Sequence, residues 1–288
     1  MILIILAVIW GSSFILIKRS LEASDGSAVF SPIQLACGRM FFAGIVLLPI
    51  FLKTIHKLKR AQLGFLFLVG LFGNAIPAFL FAKAETEISS ALAGMLNSTT
   101  PFFTIIIASS FFRKKSSWQK WAGIILGLAG SVGLVLAGNG SQIEFNLYAG
   151  MVLLGTLCYG LSVNIIHEKL SGVGSLEITS VALMFVGIPM GMYLGFTNFA
   201  DIVKEHPHGI WSFGYLLILA VIGTALALIY FNKLIKMTDG IFASTVTYLI
   251  PIVAIIWGLA IKEFISPKQL IFMGVILIGV FITNRQYR

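Results

Sequence analysis

Apolar residues along the chain are gathered into long runs that are apolar on all sides, and short polar stretches separate these runs. The runs are about 20 residues long, which is the length of an α-helix that crosses a hydrocarbon core roughly 30 Å thick. The predicted helices span residues 2–21, 32–52, 62–82, 89–112, 118–138, 147–167, 175–197, 211–232, 241–261 and 267–284. The pattern therefore predicts an all-α polytopic membrane protein with ten transmembrane helices.

Composition supports a membrane protein and excludes a soluble domain. Hydrophobic residues make up 58% of the chain, charged residues make up 11%, and the mean hydropathy is +0.98. Soluble domains have about 25% charged residues, so this chain has too few to cover a surface that faces water. The net charge of +9 is divided among short loops. That distribution indicates membrane topology rather than a phosphate-binding surface, so we expect a lipid bilayer as solvent and no nucleic-acid partner.

The basic residues of the loops predict the orientation of the chain. If the N-terminus is cytoplasmic, the cytoplasmic side carries more lysine and arginine than the far side, including the clusters at 57–60 and 113–115. Such an excess marks the cytoplasmic side of a membrane protein, although Lys18 and Arg19 argue mildly against this orientation. We therefore predict that both termini are cytoplasmic. Since these two charges follow the first apolar run, we also expect that run to be retained as a helix.

An internal repeat divides the chain into two units. Residues 73–119 align without a gap on residues 223–269, and Trp10-Gly11-x-Ser13 matches Tyr159-Gly160-x-Ser162. The aligned pairs include Gly73 with Gly223, Lys83 with Lys233, Ala93 with Ala243 and Pro101 with Pro251. The repeat predicts five-helix units at 1–138 and 147–288. An odd number of helices in each unit places the second copy upside down, as in many secondary transporters that bind substrate near the midplane.

Small and polar residues follow one face of the fourth and of the ninth predicted helix. In lipid, such a face points at protein or at water, so helix packing and a cavity wall are both open interpretations. Aromatic residues beside glycine and serine lie deep in the first and sixth helices, which suits an amphipathic solute. The candidate substrate-binding residues are Trp10, Ser13, Asn74, Asn97, Thr100, Tyr159, Asn164, Thr224, Tyr230, Thr247 and Tyr248.

Pro77, Pro101 and Pro251 lie inside the third, fourth and ninth predicted helices. A proline cannot donate a hydrogen bond to the carbonyl four residues earlier, so each is expected to leave a carbonyl free near the polar face. Breaks in equivalent helices of two repeats suit a binding site or a hinge. We predict these three prolines as hinges.

Arg39 is the charged residue that falls well inside a predicted helix. A charge in this position is a functional hypothesis because its burial is costly, and a guanidinium can bind a substrate carboxylate in a fork geometry. The alternative is a structural arginine that bonds helix-end carbonyls or extends to the interface. No aspartate or glutamate is placed at mid-membrane depth, where proton-coupled pumps commonly have one, so the sequence indicates no proton relay.

The chain offers no constellation that is typical of an enzyme. Its histidines lie in predicted loops or at helix ends, at His56, His167, His206 and His208. The sequence does not bring a nucleophile, a base and an orienting acid near these histidines to the same depth in the membrane. His206 and His208, two histidines in one loop, are weak evidence for a metal site. No phosphate-binding Walker motif is present. We predict that the protein is not an enzyme and that it uses no cofactor and no metal.

Taken in order, the motifs resemble the EamA family of the drug/metabolite transporter superfamily. They are the WGSSF sequence at 10–14, Arg39, the run at 91–101, and Glu263. The resemblance covers essentially the whole chain. It implies ten helices, cytoplasmic termini, and export of amino acids or similar metabolites across the inner membrane. It also implies that helices 1, 3, 4, 6, 8 and 9 line a central cavity.

These features predict a secondary transporter that exports small metabolites, most directly amino acids or related amphipathic solutes, by alternating access around a central cavity. One alternative is a phosphorylated-sugar or nucleotide-sugar carrier of the same superfamily, which would need several cationic groups in the cavity. Another is a membrane enzyme or scaffold that transports nothing. Both a monomer and a homodimer are compatible with the sequence.

Overall fold

The computed structural model describes residues 1–88, 90–137, 147–260 and 267–284. Within these ranges the regular elements are helices. The α-helices are α1 (Ile2–Leu21), α2 (Pro32–Val46), α3 (Leu48–Thr54), α4 (Arg60–Gly70), α5 (Ile76–Ala84), α6 (Ser90–Asn97), α7 (Thr100–Ser110), α8 (Trp118–Leu136), α9 (Leu147–Lys169), α10 (Ser175–Gly195), α11 (Phe199–Glu205), α12 (Gly209–Ala220), α13 (Ala227–Met237), α14 (Gly240–Ser244), α15 (Val246–Ala260) and α16 (Pro267–Asn284). Glu263 and the predicted helix ends at 89, 138 and 261 lie outside the described residues.

The prediction of an all-α polytopic membrane protein is confirmed. Six helical spans in the described ranges are long and apolar enough to cross a membrane, and a bent pair brings the number to seven. These six are Ile2–Leu21, Arg60–Ala84, Leu92–Ser110, Leu147–Lys169, Ser175–Gly195 and Gly209–Met237. Two shorter apolar helices, Gly240–Val253 and Leu270–Thr283, accompany them.

The second predicted helix begins sharply and then bends. Ser31 caps it with a reciprocal pair of hydrogen bonds to Gln34, and Pro32 supplies a first residue with a helical φ angle. At Leu47 the chain leaves the helix, and α3 continues at an angle of 63°. The cause lies in the sequence, because Pro49 has no N–H group with which to continue the hydrogen-bond ladder of α2.

Two π-helical stretches lie at aligned positions of the two halves. Leu71–Ala75 joins α4 to α5, and Val221–Leu226 joins α12 to α13. In each stretch a side chain bonds the carbonyl five residues earlier: Asn74 Nδ2 donates to Val69 O at 3.2 Å, and Thr224 Oγ1 donates to Leu219 O at 2.9 Å. Stretches of this kind are rare and often mark functional sites.

The fourth and ninth predicted helices are each broken near the predicted hinge. A turn at 98–99 separates α6 from α7, and Thr245 separates α14 from α15. The carbonyls that Pro101 and Pro251 leave without a backbone donor are not free. Asn97 O accepts from Thr100 Oγ1 at 2.7 Å, and Thr247 O accepts from Ser98 Oγ at 3.3 Å. The expectation of free carbonyls is therefore wrong at these two positions, because nearby hydroxyls occupy them.

Helices α8 and α16 pack closely on each other and contribute nothing to the central cavity described below. Glycines make the approach possible: a Cβ atom added to Gly279 would lie 2.6 Å from the backbone nitrogen of Gly127. Small residues at such contacts let helix backbones approach in lipid. The cavity that carries the candidate site is lined by other helices.

Candidate substrate cavity

A central cavity lies between the two halves of the chain and contains about 1060 Å3 of space not filled by protein atoms. Its walls come from both π-helical stretches and from α1, α2, α4, α5, α6, α7, α9, α10, α13, α14 and α15. The structure brings nine of the predicted residues to its surface: Trp10, Ser13, Arg39, Asn74, Asn97, Thr100, Tyr159, Thr224 and Thr247. These residues are far apart in sequence, and the pairing of the two halves brings them together.

Three other predicted residues lie outside the cavity. Asn164 is buried, and its amide donates to Thr104 O and Gly160 O, which ties α9 to α7. Tyr248 is fully buried, and its hydroxyl donates to Ile124 O at 2.8 Å. Tyr230 is 37% exposed and is absent from the lining. The sequence placed all three in the right helices, but the side-chain direction depends on the rotation of each helix.

The predicted hinges lie beside the cavity rather than on its surface. Pro77 is the second residue of α5, Pro101 is the second residue of α7, and Pro251 lies within α15. The lining residues Thr100 and Ile250 directly precede Pro101 and Pro251, and Pro77 follows the lining residue Asn74 by three positions. The prolines therefore shape the backbone that carries the cavity walls.

Several lining residues were missed by the sequence analysis. They are chiefly aromatic or small polar residues: Phe14, Phe81, Ser162, Thr179, Phe231, Asn232 and Ser244. A signal was present for two of them, because the ungapped alignment pairs Phe81 with Phe231. No comparable signal marks Asn232, whose amide donates to Thr179 Oγ1 at 2.9 Å across the wall.

Arg39 projects from α2 into the cavity and contacts the other half of the chain. Its Nε donates to Thr224 Oγ1 at 2.7 Å, and Thr224 in turn donates to Leu219 O. Among the described residues no acidic side chain lies within 4.0 Å of the guanidinium. The hydrogen bond from Nε therefore fixes the side chain, and the guanidinium remains a cationic group at the cavity wall with no bound carboxylate.

Aromatic rings form two facing parts of the cavity wall. Trp10 meets Phe231 edge to face, with ring centroids 5.0 Å apart, and Tyr159 meets Phe81 at 5.9 Å. Trp10 Nε1 also donates to Gly223 O at 3.1 Å. Aromatic pairs of this geometry stabilise each other beyond their buried area and give an apolar surface with a fixed shape. The cavity thus combines rigid apolar walls with a small number of polar groups.

Close contacts between the halves come in matched pairs. A Cβ atom added to Gly223 would lie 3.0 Å from Ser13 Oγ, and one added to Gly73 would overlap Ser162 Oγ. The alignment pairs these two glycines with each other and these two serines with each other. Each half therefore inserts a serine against a glycine of the other half at the cavity wall.

A second set of close contacts is also matched between the two halves. A Cβ atom on Gly11 would lie 2.7 Å from the Cβ of Val253, and one on Gly160 would lie 3.1 Å from the backbone carbon of Phe103. Gly11 aligns with Gly160, and Phe103 aligns with Val253. The close approach of α1 to α15 is thereby repeated by α9 and α7.

Ion pairs lie at both ends of the molecule. At one end Lys120 pairs with Asp239, and Lys114 pairs with Glu168 at 2.9 Å. At the other end His208 Nε2 lies 3.0 Å from a carboxylate oxygen of Asp25. Hydrogen bonds from the hydroxyl and the backbone N–H of Ser27 lower the pKa of Asp25 to about 2, and His208 adds to this effect. No group of three or more metal-ligating side chains occurs in the part of the chain that the structure describes.

Comparisons with known proteins agree with this architecture. The model of the EamA-like transporter family matches residues 1–136 and 146–285. The uncharacterized inner membrane transporter YedA of Escherichia coli K12 is 27% identical over 289 residues, which cover 97% of this chain and 88% of the relative. An uncharacterized transporter of Archaeoglobus fulgidus is 23% identical over 279 residues, with coverage of 96% and 95%.

Two further similarities concern a named substrate and the fold. An S-adenosylmethionine/S-adenosylhomocysteine transporter of Chlamydia muridarum is 25% identical over 286 residues, covering 95% of this chain and 87% of the relative. A solved crystal structure has a TM-score of 0.73 at 14% identity, covers 99% of this chain and 96% of its own, and shows a shared fold. The resemblance drawn from the sequence is thus confirmed by the family match over both halves. The chain belongs to the EamA-like transporter family, a family of membrane transporters and not of enzymes.

Proposed function

We propose that the protein is a secondary transporter of the inner membrane that exports small amphipathic metabolites, with amino-acid-like compounds as its substrate class. It works by alternating access, with ten helices in two inverted five-helix repeats around the central cavity. The observation that carries this proposal is the set of matched contacts between the halves, since a cavity bounded by two equivalent walls can open to either side by exchanging their conformations.

The matched contacts support an inverted repeat more specifically than the sequence alignment alone. Ser13 with Gly223 is matched by Ser162 with Gly73, and the contact of Trp10 with Phe231 is matched by that of Tyr159 with Phe81. Reciprocal contacts of this kind arise when two copies are related by a two-fold axis. With five helices in each copy, that axis lies in the plane of the membrane.

The chemistry of the cavity supports the substrate class. Arg39 is the charged member of the lining, and it offers a forked cation to a single carboxylate. Aromatic walls and the amides of Asn74 and Asn97 suit a solute with one apolar and one polar end. The Chlamydia relative is named for an amino acid that carries an adenosyl group, which has these properties. A sugar-phosphate carrier is less well supported, because a dianion calls for more than one cation.

The location and orientation follow from two separate observations. The Escherichia coli relative is named as an inner membrane transporter. The excess of basic residues in one set of loops supports cytoplasmic positions for both termini. In this orientation the Lys120–Asp239 and Lys114–Glu168 pairs lie at the cytoplasmic end, and the Asp25–His208 pair lies at the outer end.

Counterflow in proteoliposomes tests the proposed function. Vesicles are loaded with unlabelled S-adenosylhomocysteine, methionine or phenylalanine, and uptake of the same labelled compound is measured without an ion gradient. We expect exchange of at least one of these compounds. Arg39→Ala should lower the rate about 10- to 100-fold, because a hydrogen bond to a charged group contributes about 1.5–3 kcal/mol.

Arg19→Ala is the matched control, since Arg19 is exposed at the end of α1 and should leave exchange unchanged. Glucose 6-phosphate is tested in parallel. Exchange of the sugar phosphate alone would favour the other carrier class. No exchange of any compound by folded, inserted protein would contradict the proposal.

A further inference from the structure

A second cavity lies at the end of the molecule where α1 meets α2 and where α5 ends. It borders the side chains of Lys18, Glu22, Gln34, Glu85 and Tyr193. We call it the outer vestibule, because the orientation given under the proposed function places it on the non-cytoplasmic side. The inference below rests on that proposed function for its direction.

Glu85 is the buried acid of this vestibule. Glu85 is only 7% exposed, and Ser90 Oγ donates a hydrogen bond to its Oε2 at 3.2 Å. Its other oxygen, Oε1, has no hydrogen-bond partner among the described residues, and no lysine, arginine or histidine described by the structure lies within 4.0 Å of the carboxyl group. A buried carboxylate without a close cation is costly, whereas a buried carboxylic acid is much less so.

The surroundings of Glu85 favour the protonated acid near neutral pH. The residue lies in the connection that follows the span Arg60–Ala84, and its burial raises its pKa to about 8. The hydrogen bond from Ser90 and the positive charges of Arg39 and Lys18 oppose this rise only in part. Glu22 and Tyr193 are the other titratable groups that border the vestibule. Lowering the pH through about 8 therefore adds a proton to Glu85, and raising it removes one.

We propose that Glu85 is a proton-binding site that couples export of the substrate to entry of a proton from the outer vestibule. A hydronium ion of the outer vestibule loses a proton to the Glu85 carboxylate and becomes water, and the new O–H bond converts the carboxylate into a neutral acid. The same O–H bond breaks when the proton leaves towards the cytoplasm. The carboxyl group is regenerated in each cycle, and no other reactant is consumed.

Glu85 is connected to the wall of the central cavity through two elements. Phe81, one turn earlier on α5, lines the cavity and packs against Tyr159 and Phe14. Ser90, the hydrogen-bond donor to Glu85, begins α6, and Asn97 at the end of α6 lines the cavity as well. A change of charge on Glu85 therefore acts on two helices that carry the substrate wall.

The sequence analysis missed this acid because it ended the third helix at 82 and assigned Glu85 to a loop. The helix extends to Ala84, and Glu85 in the turn that follows is buried and accepts a hydrogen bond from Ser90 at the start of α6. The alignment places Ile235, a fully buried apolar residue, at the equivalent position of the second half. The proposed proton site therefore has no acidic counterpart there.

Infrared spectroscopy of the purified full-length protein tests the site without any substrate. The carbonyl band of protonated carboxylic acids is followed from about pH 6 to about pH 10. We expect a band that disappears as the pH rises through about 8, is missing in Glu85→Gln and returns in Glu85→Asp. Glu87→Gln, an exposed neighbour, should keep the band. Absence of such a band from the wild type, or its persistence in Glu85→Gln, would overturn the proposal.

Transport under a pH gradient tests the coupling. In vesicles that perform counterflow and whose membrane potential is held at zero, exchange of one proton for one zwitterionic substrate accumulates substrate about tenfold for each unit of pH difference. We expect this accumulation in the wild type and in Glu87→Gln, and its loss in Glu85→Gln. Counterflow with no response of the wild type to the gradient would overturn coupling at Glu85 and leave the transporter proposal intact. Failure of counterflow in all proteins would contradict the proposed substrates, while the infrared result still decides whether Glu85 binds the proton.

Discussion

The two halves of the molecule build the same backbone features from different residues. Both contain a π-helical stretch, at Leu71–Ala75 and at Val221–Leu226, but only the first is followed by a proline, Pro77, whereas Ala227 occupies the aligned position. The proline is therefore not required for the π-helical stretch. What the two share is a side chain, Asn74 or Thr224, that bonds the carbonyl five residues earlier.

The halves differ most in their charged groups. Arg39 and Glu85 both belong to the first half, and Arg39 bonds to Thr224 of the second. The backbone of the cavity is nearly symmetric, while its electrostatics are not. A symmetric frame suits two interconverting conformations of similar energy, and an asymmetric set of charges gives the substrate one preferred orientation. The following experiments test how far the symmetry extends.

The largest expected effect is on the close contacts of the glycines in α1 and α9. Gly11→Ala and Gly160→Ala each place a methyl group within about 3 Å of the opposite helix, so we expect each to lower the free energy of unfolding by about 1–3 kcal/mol. Thermal unfolding in detergent measures this. Gly150→Ala is the matched control in α9, because a Cβ atom there meets nothing within 4 Å. That variant should be unchanged or more stable by about 0.5–1 kcal/mol. Destabilisation by only one of the two contact variants would show that the halves are not equivalent.

The next largest expected effect is that of Pro101 and Pro251 on the rate of transport. We expect the double variant Pro101→Ala, Pro251→Ala to slow counterflow about tenfold, which corresponds to about 1.4 kcal/mol in the barrier between conformations. Straight, fully bonded helices resist the bending that alternating access requires. Protein level and thermal unfolding serve as controls and should change less than transport. Transport at the wild-type rate would refute a hinge role for these prolines.

Features of the backbone could be predicted from the sequence where a single residue type, such as proline, decides the local geometry. Pro101 indicated the break near it, and the ungapped repeat indicated which positions of the two halves are equivalent. Helix rotation could not be predicted, because lipid-facing and buried surfaces are equally apolar, and so Tyr230 and Tyr248 were assigned to the cavity. The bend at Leu47 and the burial of Glu85 were also missed. The burial of Glu85 depends on how one helix end packs against another, whereas Pro49 was a local signal for the bend at Leu47.

A smaller effect distinguishes the two aromatic walls. Trp10→Phe retains the ring contact with Phe231 but removes the donor to Gly223 O, so we expect a loss of about 1 kcal/mol and about fivefold slower exchange. Tyr159→Phe retains the ring contact with Phe81 and removes a hydroxyl that makes no hydrogen bond with the described residues. It should slow exchange less than twofold, by about 0.4 kcal/mol. Equal losses in the two variants would indicate that the Tyr159 hydroxyl binds the substrate.

A proline substitution with a small expected effect on stability tests the π-helical stretches most directly. A proline inside an ordinary helix costs about 3 kcal/mol, because it removes a hydrogen bond and its ring collides with the preceding turn. Ala227→Pro copies the first half, where Pro77 follows a π-helical stretch whose wider turn accommodates the ring. We therefore expect Ala227→Pro to lower the free energy of unfolding by no more than about 1 kcal/mol, and Ala43→Pro within α2 to lower it by about 3 kcal/mol or more. Thermal unfolding compares the two variants. Equal destabilisation would show that Val221–Leu226 cannot accept what Leu71–Ala75 accepts, and the two stretches would then be alike in backbone geometry but different in the packing that surrounds them.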